Sequence, residues 1–126
     1  MLLAFISFPT SKDIYLEADG KRIAAVESYR AKTTRESRYI EAFGESEPVG
    51  TVGGRARHIL ELSRVVACGE TLDFYSLSDF NLVIVRPDKR IIYSGCEWSN
   101  ITEQANLNDT VLENVTIAAA KRMEMK

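Results

Sequence analysis

The feature that most constrains the fold is a pair of short apolar runs separated by a strong turn sequence. Asn81–Arg86 and Ile91–Cys96 are rich in β-branched residues, and Pro87–Arg90 lies between them. Valine and isoleucine favour strands, and proline followed by aspartate is typical of a type I turn. The segment therefore predicts a β-hairpin, and with it an antiparallel sheet.

Further strands are predicted near both ends of the chain. Ile14–Leu16 and Arg22–Ser28 flank Asp19-Gly20, a dipeptide that favours the positive φ angles of a tight hairpin turn. A polar break and then a run of β-branched residues predict a last strand at about Val111–Ala119, followed by a charged tail. These segments extend the antiparallel pattern.

The middle of the chain is harder to assign. The polar stretch around 31–36 fits either the far end of a long hairpin or a mobile loop. Phe43–Arg55 contains four glycines and a proline, which predicts no regular element. Arg55–Ala67 fits a helical stripe or one face of a strand, and its β-branched end favours the strand. Asp73 predicts a cap for one or two helical turns near Leu72–Leu77.

A mainly antiparallel β fold with one short α-helix follows from these assignments. Phe74, Phe80, Tyr93 and Trp98 are predicted to supply much of its core. With 126 residues, the chain has the size of one domain, 1–126, with a long polar arm at about 29–54. Its formal net charge of -2 gives no general attraction to nucleic acid or to anionic lipid.

The sequence offers little for catalysis or metal binding. Cys68 and Cys96 lie 28 residues apart without a CxxC pair, and His58 is the single histidine, so no zinc site is predicted. We expect two buried reduced thiols and a histidine that serves as a hydrogen-bonded packing or interface residue. Phosphate-binding glycine motifs are absent. The sequence therefore predicts no enzyme activity, no cofactor and no metal.

The apolar run Met1–Phe8 has the hydrophobicity of a secretion signal. It lacks a basic start and a small-residue cleavage site, and it ends at Pro9. No other stretch approaches the roughly 18 apolar residues of a membrane span. The sequence predicts a cytosolic chain with no membrane partner.

The charge pattern is the main functional signal in the sequence. Between Lys21 and Arg38 there are six basic residues against two acidic ones, with Tyr29 and Tyr39 among them. Basic residues interleaved with aromatics suit a single strand of nucleic acid. A basic segment next to an acidic loop suits self-association instead, and we favour this second interpretation. The residues assigned to subunit contact are Arg30, Lys32, Arg35, Arg38, Glu41, Glu45 and Glu47.

The order of the elements is itself informative. The hairpin at Asp19-Gly20 comes first, and it is followed by the polar arm 29–43 and the glycine-rich loop 44–54. The chain continues with the strand that includes Arg57–Leu62 and a short helix near 72–77. Last come the hairpin 82–98 and a closing strand around 113–117. This succession, which spans most of the chain, resembles the tail tube proteins of bacteriophages and of phage-derived particles such as defective prophages and tail-like bacteriocins.

The resemblance implies a β-sandwich or barrel-like fold of two packed antiparallel sheets with a flanking helix. It implies six copies joined in a ring, rings stacked into a tube through the arm, sheath or baseplate proteins as partners, and DNA that passes through the lumen without sequence-specific binding. The expected location is a virion tail or phage-like particle, assembled in the bacterial cytoplasm. The alternatives are a related baseplate or tail-completion component, a small nucleic-acid-binding β-module, and an enzyme or ligand binder whose site is assembled across the fold.

Overall fold

The structure of the protein, a computed structural model, describes residues 5–126, so the first half of the Met1–Phe8 run lies outside the described residues. Within them the chain forms eight β-strands and two single turns of 3-10 helix, at Ser11–Asp13 and Phe74–Ser76. The strands are β1 (Tyr15–Ala18), β2 (Lys21–Arg22), β3 (Val26–Ile40), β4 (Gly50–Val65), β5 (Phe80–Val85), β6 (Arg90–Ala105), β7 (Val111–Ala119) and β8 (Lys121–Met125).

The strands form two antiparallel sheets that share β6. In sheet I the order is β2-β1-β5-β6-β8, and this sheet uses the first part of β6. In sheet II the order is β3-β4-β7-β6, and this sheet uses Glu97–Ala105 of β6. The fold is therefore the mainly antiparallel, sandwich-like β structure that the sequence predicted.

One long hairpin joins the two sheets at a corner. β6 keeps the same pairing register from Arg90 opposite Met125 in sheet I to Trp98 opposite Ile117 in sheet II. Gly95 lies at the corner with a φ of +63°, and a Cβ at this position would lie 2.8 Å from the Cβ of Ala120. A glycine is required here because it tolerates positive φ and leaves room for the facing strand.

We expect Gly95→Ala to destabilise the fold. The left-handed backbone conformation costs a non-glycine residue about 1–2 kcal/mol, and crowding against Ala120 adds about 1–3 kcal/mol. Urea denaturation of the monomer measures the change. The double variant Gly95→Ala/Ala120→Gly should recover the crowding part only. A Gly95→Ala protein as stable as the wild type would contradict this account of the corner.

Alternating side chains from both sheets fill the core. Leu60 and Leu62 on β4 and Ile117 on β7 face Leu82 and Ile84 on β5, and all five are buried. Burial of such aliphatic side chains is the main favourable contribution to folding.

The aromatic residues predicted for the core behave differently from one another. Phe74, Phe80 and Tyr93 are buried, as predicted, but Trp98 remains 37% exposed. The prediction for Trp98 is wrong because this residue lies on the part of β6 that forms an edge of sheet II, where no neighbouring strand covers it within the described chain.

Local turn chemistry was predicted well. Asp19 and Gly20 both have positive φ and connect β1 to β2, and the hairpin around Pro87 is present as β5 and β6. The strand Val111–Ala119 and the choice of a strand for Arg55–Ala67 are confirmed, although β4 ends at Val65.

Other predictions need correction. The short α-helix near Leu72–Leu77 is a single 3-10 turn, although Asp73 does cap it by accepting a hydrogen bond from the Tyr75 backbone N–H. Gly50–Arg55 is part of β4 because β3 pairs along its whole length. The strand predicted at Arg22–Ser28 is interrupted, since Ala25 takes a φ of 57° between β2 and β3. The charged tail forms β8 against β6.

No helix in residues 5–126 has the length and hydrophobicity needed to cross a membrane.

Candidate functional site

The single histidine and one of the two cysteines, His58 and Cys96, pack in the core. His58 is buried on β4, its Nδ1 lies 2.9 Å from the Thr33 hydroxyl, and its ring packs edge-on against Tyr93 at 6.0 Å. This confirms the packing role predicted for the histidine. Burial raises the pKa of the Cys96 thiol to about 11, so the group stays protonated near neutral pH and donates to the Tyr93 carbonyl.

Cys68 is exposed, which corrects the prediction that both cysteines are buried; both are free thiols. Cys68 lies in the connection after β4, which has no covering strand in the described chain. Within residues 5–126 no three His, Cys, Asp or Glu side chains are grouped closely enough to hold a metal ion.

The two edges of sheet II are the most prominent unsatisfied feature of the described chain. β3 pairs with β4 alone, and Glu97–Ala105 of β6 pairs with β7 alone. Each edge presents a row of backbone N–H and C=O groups without a partner strand in residues 5–126. Exposed edges of this length invite pairing with another chain.

Opposite charges stand at the two ends of one row across sheet II. The row runs from Lys32 on β3 through Ile59 on β4 and Ala118 on β7 to Glu97 on β6. Because Lys32 follows Ala31, which is paired with the buried Leu60, the row lies on the face of the sheet that points away from the core. The β3 edge is therefore basic where the β6 edge is acidic.

The wider composition of the edges follows the same pattern. β3 carries four basic residues and two glutamates, whereas Glu97–Ala105 carries two glutamates and no basic residue. The next row on the same face consists of Arg30, Glu61, Thr116 and Asn100. The row after it is uncharged and consists of Ser28, Ser63, Asn114 and Thr102. Sheet II thus has a basic edge, an acidic edge and a polar outer face between them.

The ends of β3 and β4 extend beyond the sandwich as a two-stranded arm, residues 34–57. β7 pairs with β4 only between His58 and Val65, so Gly50–Arg57 pairs with β3 alone. Tyr39 and Phe43 near the tip are largely exposed, at 69% and 107%. A two-stranded ribbon with exposed aromatic residues is marginally stable by itself, so this arm is suited to contact with another molecule.

The predicted contact residues are divided between these surfaces. Arg30 and Lys32 lie on the outer face of the β3 edge, and Arg35 and Arg38 lie within the arm. Glu41, Glu45 and Glu47 lie in the loop that joins β3 to β4, and all seven side chains are exposed. Tyr29 is half-buried against the core, so it is not available beside the arginines for stacking on bases.

Sequence reasoning missed the second edge. Glu97 and Trp98 had been assigned to a strand, but nothing local to them distinguishes an edge strand from a central one. The strand order of sheet II identifies this part of β6 as an edge, because β7 pairs with it on one side only.

Several solved structures are similar to the protein in fold. A structure of the sheath/tube terminator of an extracellular contractile injection system (PVC) in its extended state has a TM-score of 0.80 at 12% identity, covering 98% of this chain and 100% of that one. The tube-terminating cap of the anti-feeding prophage has a TM-score of 0.77 at 10% identity, covering 100% of this chain and 96% of that one.

The tail of an empty gene transfer agent particle, determined with C6 symmetry, has a TM-score of 0.73 at 15% identity, covering 93% of this chain and 98% of that one. No protein-family model matches the sequence, and no curated protein matches it. At these identities the likeness shows the fold, which is the fold found in phage-like tails and tube terminators, in agreement with the resemblance noted in the sequence.

Proposed function

We propose that the protein is a structural, ring-forming component of a phage-like tail tube. The observation that carries this proposal is the open sheet II, whose β3 edge is basic and whose β6 edge is acidic, in a chain with the tail-tube fold. Pairing of the β3 edge of one copy with the β6 edge of the next removes both edges and continues the antiparallel order. Repeated around an axis, it closes a barrel.

Sheet II suits ring closure better than sheet I does. The outer strands of sheet I are short, since β2 has two residues and β8 has five. Such edges offer few backbone hydrogen bonds to a neighbour. The number of copies is proposed as six, which the C6 symmetry of the gene transfer agent tail supports. A head-to-tail contact of this kind is heterologous and closes when the rotation divides a full turn.

In the ring the outer face of sheet II lines the lumen. This face carries the uncharged row that includes Ser63 and Asn114, and it balances Arg30 and Lys32 against Glu61 and Glu97. Tight binding of DNA depends on a strong excess of positive charge. A mixed polar lining would let DNA pass without being held, so the proposed lumen serves transit.

The arm supplies the contact between stacked rings. The proposed subunit contacts use seven exposed side chains of β3 and of the loop after it: Arg30, Lys32, Arg35, Arg38, Glu41, Glu45 and Glu47. Of these, Arg30 and Lys32 serve ring closure and the other five serve stacking. Other tail proteins, such as a sheath or a baseplate, would complete the particle. The proposed location is the tail of a virion or phage-like particle, and a ring of this kind requires no catalytic residue.

Charge reversal tests ring closure directly. Lys32→Glu should weaken ring formation, because it places like charges at both ends of the row that joins neighbouring copies. We expect roughly a tenfold or greater rise in the concentration for half-assembly, which corresponds to about 1.4 kcal/mol per contact. Light scattering over a concentration series, with negative-stain microscopy of the densest sample, measures it.

The matched control is the double variant Lys32→Glu/Glu97→Lys, which restores opposite charges with the signs exchanged. It should recover assembly close to that of the wild type. If the wild type formed no ring over the whole series, the proposed function would be wrong. Rings that were indifferent to both substitutions would show that these two edges do not meet.

A tube-terminating cap is the second candidate. It is favoured by the TM-scores of 0.80 and 0.77 to structures of a sheath/tube terminator and of a terminating cap, with nearly complete coverage of both chains. A cap ends a tube, so it should form single rings that do not stack on one another. Negative-stain images therefore distinguish the two candidates, since a tube subunit gives long filaments at high concentration.

A further inference from the structure

An exposed aromatic pair marks the β6 edge on the core-side face of sheet II. Trp98 is 37% exposed and Tyr75, from the 3-10 turn beside it, is 51% exposed. Their rings meet edge to face with centroids 6.1 Å apart and planes at 70°. Trp98 lies opposite the buried Ile117, which places it on the face that forms the core elsewhere in the sheet. The pair is therefore core-like in position but open to solvent.

A cleft lies at the opposite edge of the same face, beside β3. Its volume is about 560 Å³, and its lining includes Ala31 and Thr33 of β3, His58 of β4, Tyr93 of β6 and Arg122 of β8. The remaining lining residues are Tyr29, the aliphatic Ile84 and Ile91, and a second arginine that follows β5, and none is acidic. Such a lining suits an aromatic ring, which packs on apolar walls and also attracts arginine through its π face.

The aromatic pair and the cleft belong to one row of the sheet. Trp98 is paired with Ile117, Ile117 with Leu60, and Leu60 with Ala31. When a second copy continues the sheet, side chains on the same face of the joined strands become neighbours. The small side chain of Ala31 leaves space at the end of the row where a large side chain from the next copy would arrive.

We propose that Trp98, supported by Tyr75, inserts into the β3 cleft of the next copy and is the main anchor of the ring interface. This inference rests on the ring proposed above and adds the residue that fixes the contact. The cleft offers two arginines to the π face of the incoming indole, Arg86 and Arg122, and none of its lining residues is acidic. Large aromatic residues that enter a pocket at the centre of a contact commonly dominate its binding energy.

Trp98 is the only tryptophan of the chain, so its fluorescence reports on the contact without a label. As the wild type assembles, the emission should shift to shorter wavelength because the half-exposed indole leaves water. Trp98→Ala should raise the concentration for half-assembly roughly thirtyfold, the change that corresponds to the usual threshold for an interface anchor. Trp98→Phe should raise this concentration much less, because it keeps an aromatic ring.

The cleft side provides an independent variant. Ala31→Leu fills the cleft from an exposed position of β3, so it should block assembly without disturbing the fold. Ala118→Leu makes the same change at an exposed position on the opposite face, in the middle of the sheet, and should assemble like the wild type. Thermal unfolding by circular dichroism verifies that each variant is folded.

The outcomes separate this inference from the proposed function. If the wild type forms rings but Trp98→Ala and Ala31→Leu assemble normally and the emission does not shift, the anchor is wrong and ring closure stands. If the wild type forms no rings at any concentration, the proposed function fails and this inference fails with it. Loss of assembly in both variants, with a blue shift in the wild type, supports the anchor.

Discussion

Replacing Glu113 by alanine is expected to lower the free energy of unfolding by about 3–5 kcal/mol, because it leaves a buried arginine without its counter-charge. Glu113 on β7 accepts a hydrogen bond from the Nε of Arg64 on β4 at 2.9 Å. Both side chains are almost completely buried, with 5% and 4% of their surface exposed. A buried charge without a partner loses its hydration and gains no interaction in exchange, so it destabilises the folded state.

Arg64 also fixes the connection between β4 and β5. Its Nη2 donates to the Leu72 carbonyl oxygen at 2.9 Å, and its guanidinium lies 4.8 Å above the ring of Phe74. Its Nη1 is buried and has no hydrogen-bond partner. The guanidinium thus already has one unsatisfied donor. Glu113 is the only carboxylate that compensates its charge within the described contacts. Its removal should loosen the 66–77 segment as well as the sheet.

The control for this prediction is Glu103→Ala. Glu103 lies directly opposite Glu113 on the neighbouring strand β6, but it is exposed, so its loss should change stability by no more than about 0.5 kcal/mol. The double variant Arg64→Met/Glu113→Leu should recover most of the loss, because apolar residues of similar size remove the buried charge entirely. Urea denaturation of the unassembled protein gives all three values. A Glu113→Ala protein as stable as Glu103→Ala would contradict the prediction.

This ion pair illustrates why part of the structure could not be predicted. Arg64 and Glu113 are 49 positions apart and meet only because β4 pairs with β7. Turns, in contrast, depend on neighbouring residues, which is why the hairpins at Asp19-Gly20 and at Pro87 were predicted correctly. Strand pairing between distant segments leaves no comparable local signal.

Of the two surfaces that we propose as contacts, the sequence indicated one. The change from basic to acidic residues between Arg30 and Glu47 pointed to contact between copies, and it is visible in the sequence alone. The surface around Glu97 and Trp98, which we propose as its partner, has no comparable signal in the sequence. An edge strand and a central strand have the same alternation, so only the order of strands in sheet II identifies an edge. The resemblance to tail tube proteins supplied the expected architecture and led to the assignment of residues 30–38 and 41–54 to inter-subunit contact, but it indicated nothing on β6.

Gly54→Ala is expected to weaken the stacking of rings roughly tenfold or more while leaving the sandwich folded. A Cβ at Gly54 would collide with the backbone carbonyl oxygen of Glu36 on the facing strand. The register of β3 and β4 shifts at this point, between Arg35 and Ser37, so the two backbones are already closely packed. Because backbone atoms cannot move aside as a side chain can, the arm beyond Glu36 should lose its pairing.

The effect should be confined to assembly, since no residue of the arm belongs to the core. We expect thermal unfolding of the monomer to change little, and the concentration needed for tubes to rise tenfold or more, equivalent to about 1.4 kcal/mol per contact. Negative-stain images should then show single rings in place of filaments, because the proposed ring closure uses the edges of sheet II and not the arm.

Gly50→Ala is the matched control for Gly54→Ala. Both glycines lie in the arm portion of β4, but a Cβ at Gly50 meets no atom within 4 Å, and its backbone has no positive φ. The same substitution should therefore be tolerated there, with filaments formed as by the wild type. If rings of the Gly54→Ala protein stacked as readily as rings of the Gly50→Ala protein, the arm would not be the stacking element. Its exposed Tyr39 and Phe43 would then require a different partner, since a ribbon of two strands gains little stability without one.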